Sequence, residues 1–430
     1  MKIYNERYGL LTMKKYSVAV LGCGGRGYCY ASLMHPMKEK FEIVSLCDPN
    51  IGQIEKIHKL LDLENTSDFT DVDEFLKIKR ADVIVIATPD RYHIPQTVKA
   101  LELGYDVLLE KPISDSRDEL ELLDRTQKRT GRKVVICHEL RYGAGYRKCA
   151  ELIKNGVIGN LYAIDASERV AYWHWAQAYV RGIGSLLENS HPVVLAKCSH
   201  DLDLLQSYAG SECDTVSSIG DRSFFRPENA PCDSAERCLE CKYKDTCPYS
   251  AQRIYIDGWH EAGEPEFIWP YSKVSIKSPL TEEDIRKGLI NGEYGVCAFK
   301  TKVDQVDHQL VQMTFKNGIK ASLKIVYGAY PGRRIVFYGN YGEIVFDERT
   351  DEIEIMPFGE KKEIIELDTL IEGGHGHGGG DAILIRELYD IISGEKECET
   401  SLKESIECHL MGISAEESRK LGGAIVKVHK

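Results

Sequence analysis

Hydrophobic residues follow different patterns in the two halves of the chain. Between residues 16 and 141, short apolar runs alternate with segments whose apolar residues recur every three or four positions. The runs are YSVAVLG, FEIVSLCDP, ADVIVIATP, YDVLLEKP and KVVICHEL. Such runs are typical of parallel strands buried on both faces, and the periodic segments between them predict helices. We therefore predict a doubly wound α/β domain over residues 1–142, with ligands at the carboxyl ends of its strands.

After about residue 145, apolar and polar residues alternate in most segments. In QLVQMTFKNGIKASLKIVYG, two alternating runs flank Asn317 and Gly318, a pair that favours a tight hairpin turn. Two helices are predicted near residues 380–393 and 402–421. These patterns predict an α+β domain over residues 143–430, with a large and mostly antiparallel sheet.

Composition narrows the class of protein. Hydrophobic residues make up 43% of the 430 positions and charged residues 28%, as in globular proteins with a large core. The net charge of −12 argues against a nucleic-acid partner, because binding phosphates needs surplus lysine and arginine. We find neither a secretory signal nor an apolar run near the roughly 20 residues that cross a bilayer. We expect a cytoplasmic protein without a membrane partner.

A glycine motif follows the first predicted strand. Gly22, Gly24 and Gly27 form G-x-G-x-x-G before a predicted helix, and Asp48 ends the second strand. The first glycine permits the turn, the second lets the backbone approach a pyrophosphate, and the third lets helix and strand pack closely. A carboxylate at Asp48 would bind a ribose hydroxyl and repel a 2′-phosphate, which favours NAD over NADP. A glycine-rich turn alone is the alternative, but its context predicts a Rossmann domain.

Three further strand ends are predicted to lie where the nicotinamide would bind. ATPDRYH follows the fourth strand, EKP the fifth and HELRY the sixth. With these motifs, and over nearly its whole length, the chain resembles the Gfo/Idh/MocA oxidoreductases, which include glucose-fructose oxidoreductase and inositol dehydrogenase. The resemblance implies that Lys111 of EKP lies beside nicotinamide and substrate hydroxyl, with Glu110 orienting it; a surface lysine is the alternative. The predicted cofactor-binding residues are Gly22, Gly24, Gly25, Arg26, Gly27, Asp48, Thr88, Pro89, His93, Glu110 and Lys111.

A second set of polar residues lies on a predicted helix, HPVVLAKCSHDLDLLQSYAG, where Lys197 and His200 share one face. Family members commonly carry Asp, three residues and then His here, and this His takes part in proton transfer. The present chain keeps His200 but has Ala196 in place of the Asp. The variant hypothesis is that Lys197 and His200 bind sugar hydroxyls and one relays the proton. A core histidine satisfied by Asp203 or by the backbone is the alternative.

Two other segments could contact the substrate. In AYWHWAQAYVRG, aromatic residues suit stacking on a sugar, with His174 and Arg181 as polar contacts, although ordinary sheet packing explains the aromatics equally well. In GGHGHGGGD, His375 and His377 could close over the substrate or bind a metal, or the segment could be a mobile loop; Asp381 would cap the next helix. The predicted substrate residues are His174, Arg181, Lys197, His200, Asp201 and His377.

The chain has 14 cysteines, and four of them lie close together near residues 230–250. These four, in the spacing C-x5-C-x2-C-x5-C, are Cys232, Cys238, Cys241 and Cys247. Four thiolates suit a closed, structural zinc site. Free thiols in a reducing compartment are the alternative, and an iron–sulfur cluster is less favoured.

The sequence thus predicts an NAD-dependent oxidoreductase that moves a hydride between nicotinamide and a hydroxyl-bearing carbon of a sugar, polyol or glycoside. Lys111, His200 and Lys197 are the predicted catalytic residues. One alternative is an NAD-dependent glycoside hydrolase that works by transient oxidation and elimination, and another is a non-catalytic NAD-sensing regulator. The family resemblance also implies a homodimer or homotetramer formed through the exposed face of the C-terminal sheet.

Overall fold

The computed structural model describes residues 14–328, 330–367 and 377–429. Its first part contains six strands: β1 (Tyr16–Leu21), β2 (Phe41–Cys47), β3 (Ser67–Phe69), β4 (Val83–Ile86), β5 (Asp106–Leu109) and β6 (Val134–Ile136). They pair in parallel in the order β3-β2-β1-β4-β5-β6. The helices between them are α1 (Gly25–Met34), α2 (Ile51–Leu61), α3 (Val72–Phe75), α4 (His93–Leu103) and α5 (Arg117–Thr130).

Local sequence accounts for the bounds of these helices. The Ser116 hydroxyl accepts a hydrogen bond from the Glu119 amide at the start of α5, which satisfies one of the free amides of its first turn. α5 then ends at Gly131, whose φ of +65° lies in the left-handed region that favours glycine. α4 ends in the same way at Gly104, with a φ of +89°. β1 and β4 are buried along their whole length apart from one half-buried position in β1, as the apolar runs predict.

The second part of the chain forms a larger mixed sheet. Its strands are β7 (Leu161–Ala171), β8 (Cys213–Asp221), β9 (His308–Phe315), β10 (Lys320–Gly328), β11 (Gly332–Gly339), β12 (Gly342–Asp347), β13 (Glu352–Pro357), β14 (Glu363–Glu366) and β15 (Val426–Lys427). Their order is β14-β13-β12-β11-β7-β10-β9-β8-β15, and only the β7–β10 pair is parallel among these described strands. The predicted fold class is therefore confirmed.

The predicted hairpin around Asn317 and Gly318 joins β9 to β10. Gly318 has a φ of +93°, which explains why a glycine stands at this turn. The helices of this part are α6 (Ala144–Lys154), α7 (Tyr172–Trp175), α8 (Val193–Ala196), α9 (Ser199–Ala209), α10 (Gly258–Glu261), α11 (Glu282–Asn291), α12 (Gly380–Ser393) and α13 (Leu402–Lys420). Among the described helices, none is long and apolar enough to cross a membrane.

Helix α12 returns to the first sheet. Leu384 and Leu388 share one buried cluster with the apolar residues of β1 and α1. Tyr389 meets the rings of Tyr16 and Phe41 edge-on, at centroid distances of 5.6 and 6.1 Å. A late segment of the chain therefore completes the core of the first domain, while α9 and α13 pack together beside β8.

Candidate active site

A cleft of about 1200 Å³ opens at the carboxyl ends of β1, β2 and β4. This is the edge at which doubly wound sheets bind their ligands. Seven of the predicted cofactor-binding residues line it: Gly22, Gly24, Gly25, Arg26, Asp48, Thr88 and Pro89.

The glycines of the cleft meet two different requirements. Gly22 has a φ of +92°, and a Cβ built on it would lie 2.6 Å from the Ala87 carbonyl group. A Cβ on Gly27 would lie 1.9 Å from the Gly22 oxygen, so both positions need glycine for close packing. By contrast, a Cβ on Gly24 or Gly25 would meet no atom within 4 Å. These two glycines leave open space at the amino terminus of α1, where backbone amides can receive a pyrophosphate.

Asp48 has a fixed position at the end of β2. Its carboxylate accepts hydrogen bonds from the Cys23 amide at 2.9 Å and from the Asn50 amide at 2.8 Å. Because the same carboxylate lines the cleft, it is available to a ribose hydroxyl. The residues of this cleft thus fit a dinucleotide.

His93 lies beneath the cleft. It is buried, and its two ring nitrogens lie 2.7 Å from the Pro112 oxygen and 2.8 Å from the Thr88 oxygen. This side chain therefore ties the loop after β4 to the loop after β5. It can act on a cofactor only through the position of these loops.

Arg26 lies at the centre of a group of side chains that we call the Arg26 cluster, formed with Tyr30, Glu110, Glu139 and Asp381. The guanidinium donates to Glu110 and to Asp381 at 2.6 Å each, and also to Glu139. The Tyr30 hydroxyl lies 2.6 Å from both Glu110 and Glu139. The cluster joins α1 and the end of β5 to α12, beside the cleft.

The carboxyl groups of this cluster differ in their affinity for protons. Burial raises the pKa of Glu139, against the effect of Arg26. Despite burial, the hydrogen bond from His377 and the charge of Arg26 lower the pKa of Asp381 to about 2. The prediction that Asp381 caps α12 is wrong, since its carboxylate binds His377 and Arg26 instead.

Lys111 reaches from the first domain to the second. Its Nζ atom donates to the main-chain oxygen of Ala196, at the end of α8, at 2.9 Å. Its backbone amide donates to Glu110 at 3.0 Å. The lysine thus contacts the main chain four residues before His200.

His200 lies in the first turn of α9, where only 3% of its surface is exposed. Its Nε2 atom is 3.7 Å from a Glu139 oxygen, and its ring centroid is 5.6 Å from that of His377. Burial, reinforced by the positive charge of Lys111, holds the pKa of His200 well below its ordinary value. The imidazole is therefore neutral near pH 7. Asp203 does not satisfy it, because that carboxylate pairs with Arg141 at 2.7 Å.

Glu139, His200 and His377 offer ligand atoms that all lie within 4.8 Å of one another. Such a set can bind a metal ion, or it can bind a hydroxyl group through the same atoms. Among the described residues, neither the second Glu139 oxygen nor the His200 Nδ1 atom has a hydrogen-bond partner. His375 lies outside the described residues.

Arg333 is the centre of a second group, the Arg333 cluster, formed with Glu168, Asp201 and Lys197. The guanidinium lies 2.8 Å from Asp201 and 2.9 Å from Glu168, and Lys197 lies 3.5 Å from Glu168. Burial raises the pKa of Asp201 to about 6. The predicted substrate residue Asp201 is therefore held by an arginine that the sequence did not single out.

His174 lies on α7, directly after β7. Its ring is 4.7 Å from the ring of Trp269, and Trp173 stands 5.0 Å from the same tryptophan. Burial, together with the charges of Lys197 and Lys111, lowers the pKa of His174 well below its ordinary value.

Arg181 lies away from these groups. The side chain is buried, and it donates to the main-chain oxygens of Val296 at 2.7 Å and Tyr249 at 2.6 Å. Its guanidinium faces the cysteine-rich loop rather than the cleft. The structure therefore brings together Lys111, His174, Lys197, His200, Asp201 and His377 but leaves out Arg181.

Sequence reasoning did not single out Glu139, Glu168 or Arg333. Glu139 stands in the motif HELRY at the end of β6, so the strand-end argument could have found it. Glu168 lies within β7 and Arg333 within β11, and the two face each other as neighbours in the sheet. No local pattern marks either of them.

Comparison with known proteins settles the family. Residues 16–138 match the family described as GFO_IDH_MocA, an oxidoreductase family with an NAD-binding Rossmann fold. Residues 150–422 match the C-terminal α/β domain of the same oxidoreductase family. The chain belongs to the Gfo/Idh/MocA oxidoreductases. The predicted family is confirmed, and this member is an NAD-dependent oxidoreductase.

Its relatives include proteins with different printed names. YteT of Bacillus subtilis (strain 168), named as an oxidoreductase, is 26% identical over 411 residues, which cover 87% of this chain and 91% of YteT. The 2,7-anhydro-N-acetylneuraminate hydratase of Mediterraneibacter gnavus is 27% identical over 70% of this chain and 73% of its own. A structure of levoglucosan dehydrogenase with NADH and levoglucosan superposes with a TM-score of 0.71 at 14% identity, covering 97% of this chain and 100% of that chain. That likeness supports the fold.

Proposed function

We propose that this NAD-dependent oxidoreductase acts on a hydroxyl-bearing carbon of a sugar, polyol or glycoside. The observation that carries the proposal is the convergence of Lys111 and His200 from different domains. The Lys111 ammonium bonds to the Ala196 carbonyl, and its charge contributes to the low pKa of His200. A hydrogen-bond donor and a neutral imidazole are thereby available to one hydroxyl group.

Each residue has a distinct task in the proposed reaction. NAD, when bound, takes up or returns the hydride. Lys111 donates a hydrogen bond to the substrate hydroxyl oxygen and holds it in place. During oxidation, the neutral His200 accepts the hydroxyl proton. The carboxylate of Glu139, 3.7 Å from His200 Nε2, then stabilises the positive imidazole.

The second domain supports the choice of a carbohydrate. Trp269 and the His174 ring offer an aromatic surface of the kind that stacks on the apolar side of a sugar ring. Lys197 and Asp201 supply polar groups for further hydroxyls. The relative from Mediterraneibacter gnavus also acts on a sugar derivative by name.

A second candidate function is a redox-neutral reaction with transient oxidation, elimination and return of the hydride. It would use the same Lys111 and His200 pair. The relative named a hydratase favours it, because that name describes addition or loss of water rather than net oxidation. The two candidates differ in whether reduced cofactor accumulates.

The test is to incubate the purified protein with NAD and a panel of sugars, polyols and aryl glycosides. Absorbance of NADH and release of the aglycone are followed in the same sample. Accumulating NADH supports net oxidation, and aglycone release without NADH supports the second candidate. A panel that gives neither product with any carbohydrate would contradict the proposed substrate class.

The Lys111→Met variant tests the proposed chemistry. We expect kcat to fall by about 100-fold to 10,000-fold, with NADH binding retained. Lys128→Met is the matched control, because that lysine is exposed on α5 and its one ion pair among the described residues is with Asp124. Wild-type kcat in Lys111→Met would contradict the assignment.

We also propose a cytoplasmic homo-oligomer that associates through the second sheet. Ile219 on β8 and Leu310 on β9 are cross-strand neighbours whose side chains are exposed. Light scattering on the wild type and on an Ile219→Lys, Leu310→Lys double variant tests this interface. A monomeric wild type would contradict it.

A further inference from the structure

The cysteine-rich loop packs against a segment about fifty residues further along the chain. Arg237 and Val296 form an antiparallel bridge. Next to this bridge, the amide of Cys297 donates to the Glu236 oxygen at 2.8 Å. This pairing brings Cys297 beside Cys238, although no sequence motif links the two.

Four cysteines line one small cavity in this region, with a volume of about 20 Å³. They are Cys238, Cys241, Cys247 and Cys297. The cavity has room for about one water-sized group. Cys232, a member of the ligand set predicted from spacing, is exposed and does not line the cavity. The structure thus replaces Cys232 by Cys297 in the group of four thiols.

A buried positive charge lies against this group. Arg181 has 2% of its surface exposed, and its Nη2 atom lies 3.4 Å from the Cys238 sulfur. Its Nη1 atom has no hydrogen-bond partner among the described residues, and its other contacts are main-chain oxygens. A buried guanidinium without a negative partner is costly. The cysteine group lies beside it, and its thiols can supply negative charge.

We propose that Cys238, Cys241, Cys247 and Cys297 bind a metal centre through four thiolates. Four thiolates around a divalent ion carry a net charge of about −2, and the same holds for a four-iron cluster of charge +2. This charge supplies the missing partner of Arg181. The central C-x2-C pair, Cys238 and Cys241, is a frequent chelating turn.

Zinc and an iron–sulfur cluster share this ligand chemistry but need different sulfur spacings. Around zinc, with bonds of about 2.3 Å, tetrahedral sulfurs stand about 3.8 Å apart. Around a four-iron cluster they stand further apart, because each thiolate binds a different iron. Among the described residues, no three of these sulfurs lie within 4.8 Å of one another. The sulfurs therefore stand further apart than around zinc, and binding zinc would require the loop to contract.

The proposed centre would hold in place the segment that carries His174. Arg181 lies on a wide helical turn, Ala176–Arg181, which directly continues the helix that carries His174. Its guanidinium joins this turn to the cysteine loop through Cys238 and Tyr249. Because all four positions of the centre are taken by protein, its role is structural.

The first test is metal and sulfide analysis of the full-length protein, purified without oxygen. About one zinc per chain, or about four irons with four sulfides, supports the site and names its occupant. Metal-free protein in which all four thiols react with an alkylating reagent would overturn the proposal.

Two matched variants test the ligand set. We expect Cys297→Ser to retain about ten-fold less metal than the wild type, because one ligand of the four-thiolate site is removed. Cys232→Ser should retain it. Loss from Cys232→Ser with retention in Cys297→Ser would overturn the assignment.

A measurement on the wild type avoids any effect of substitution on folding. The holoprotein is alkylated before and after treatment with a chelator, and the modified peptides are identified by mass spectrometry. Cys238, Cys241, Cys247 and Cys297 should be protected together and become reactive together, while Cys232 reacts in both samples. Reaction of Cys297 in the holoprotein would contradict the proposal.

Discussion

Two arginines border the candidate active site, and their surroundings differ in charge. Arg26, on the cofactor side, contacts three carboxyl groups. Arg333, on the substrate side, contacts two, and Lys197 adds a second positive charge there. With every group ionised, the Arg26 cluster has an excess of negative charge, whereas the Arg333 cluster is balanced.

This difference indicates separate roles. A negative excess on the first domain suits the positive ring of an oxidised nicotinamide, since opposite charges attract. Glu139, whose pKa is raised by burial, belongs to this cluster and also faces His200. The balanced Arg333 cluster instead holds Asp201 and Lys197 in fixed positions. We infer that the first cluster tunes charge and the second sets geometry.

The largest expected loss of stability comes from the Arg333→Met variant. It leaves Glu168 and Asp201 buried without the arginine that contacts both of them, and we expect a loss of about 3–5 kcal/mol in unfolding free energy. Urea denaturation at pH 7 measures it. Arg125→Met is the control, because that arginine is exposed on α5. This control should have the urea midpoint of the wild type. A wild-type midpoint in Arg333→Met would show that the cluster does not stabilise the fold.

Arg26→Met should lower the unfolding free energy by less, roughly 1–3 kcal/mol, because 34% of the Arg26 side chain is exposed and water can reach the site.

The loss of stability in Arg26→Met should grow as pH rises. Without the arginine, burial raises the pKa values of Glu110 and Glu139 above their unfolded values. Stability is then present at low pH and lost as pH rises through the raised values. Urea midpoints between about pH 5 and pH 8 test this, and a deficit that shrinks with rising pH would contradict it.

The smallest expected change in stability concerns His200, which lies between the two clusters and is held neutral. Because its folded pKa is below its unfolded value, its contribution to stability is present above about pH 6.5 and lost as pH falls. The loss is about 1.4 kcal/mol per pH unit while the folded histidine stays neutral. In His200→Asn, the decrease in unfolding free energy between pH 7 and pH 5 should shrink by roughly 1–2 kcal/mol. An unchanged decrease would show that His200 titrates normally in the folded protein.

The sequence was most informative where structure depends on neighbouring residues. The strands of the first sheet, the glycine turn, Asp48 and the Asn317–Gly318 hairpin all follow from local patterns. Lys111 and His200 were found through strand ends, helix spacing and family resemblance. Their roles stay a prediction.

The remaining features depend on contacts between distant segments. Arg333 reaches Asp201 from another strand, and Cys297 joins the cysteine group through a bridge that no motif marks. Arg181 stands in a segment with a plausible sugar-binding pattern, yet its contacts lie with the cysteine loop. Spacing along a chain identifies neighbours on one element, and it carries no information about which elements meet.

Helix α12 has a consequence for how the protein is made. The ribosome releases residues 14–142 long before Leu384 and Leu388, which belong to the same buried cluster as β1. Until then, the nascent nucleotide-binding domain carries an uncovered apolar surface, which is prone to aggregation. Maturation of this domain thus waits for translation of nearly the entire polypeptide.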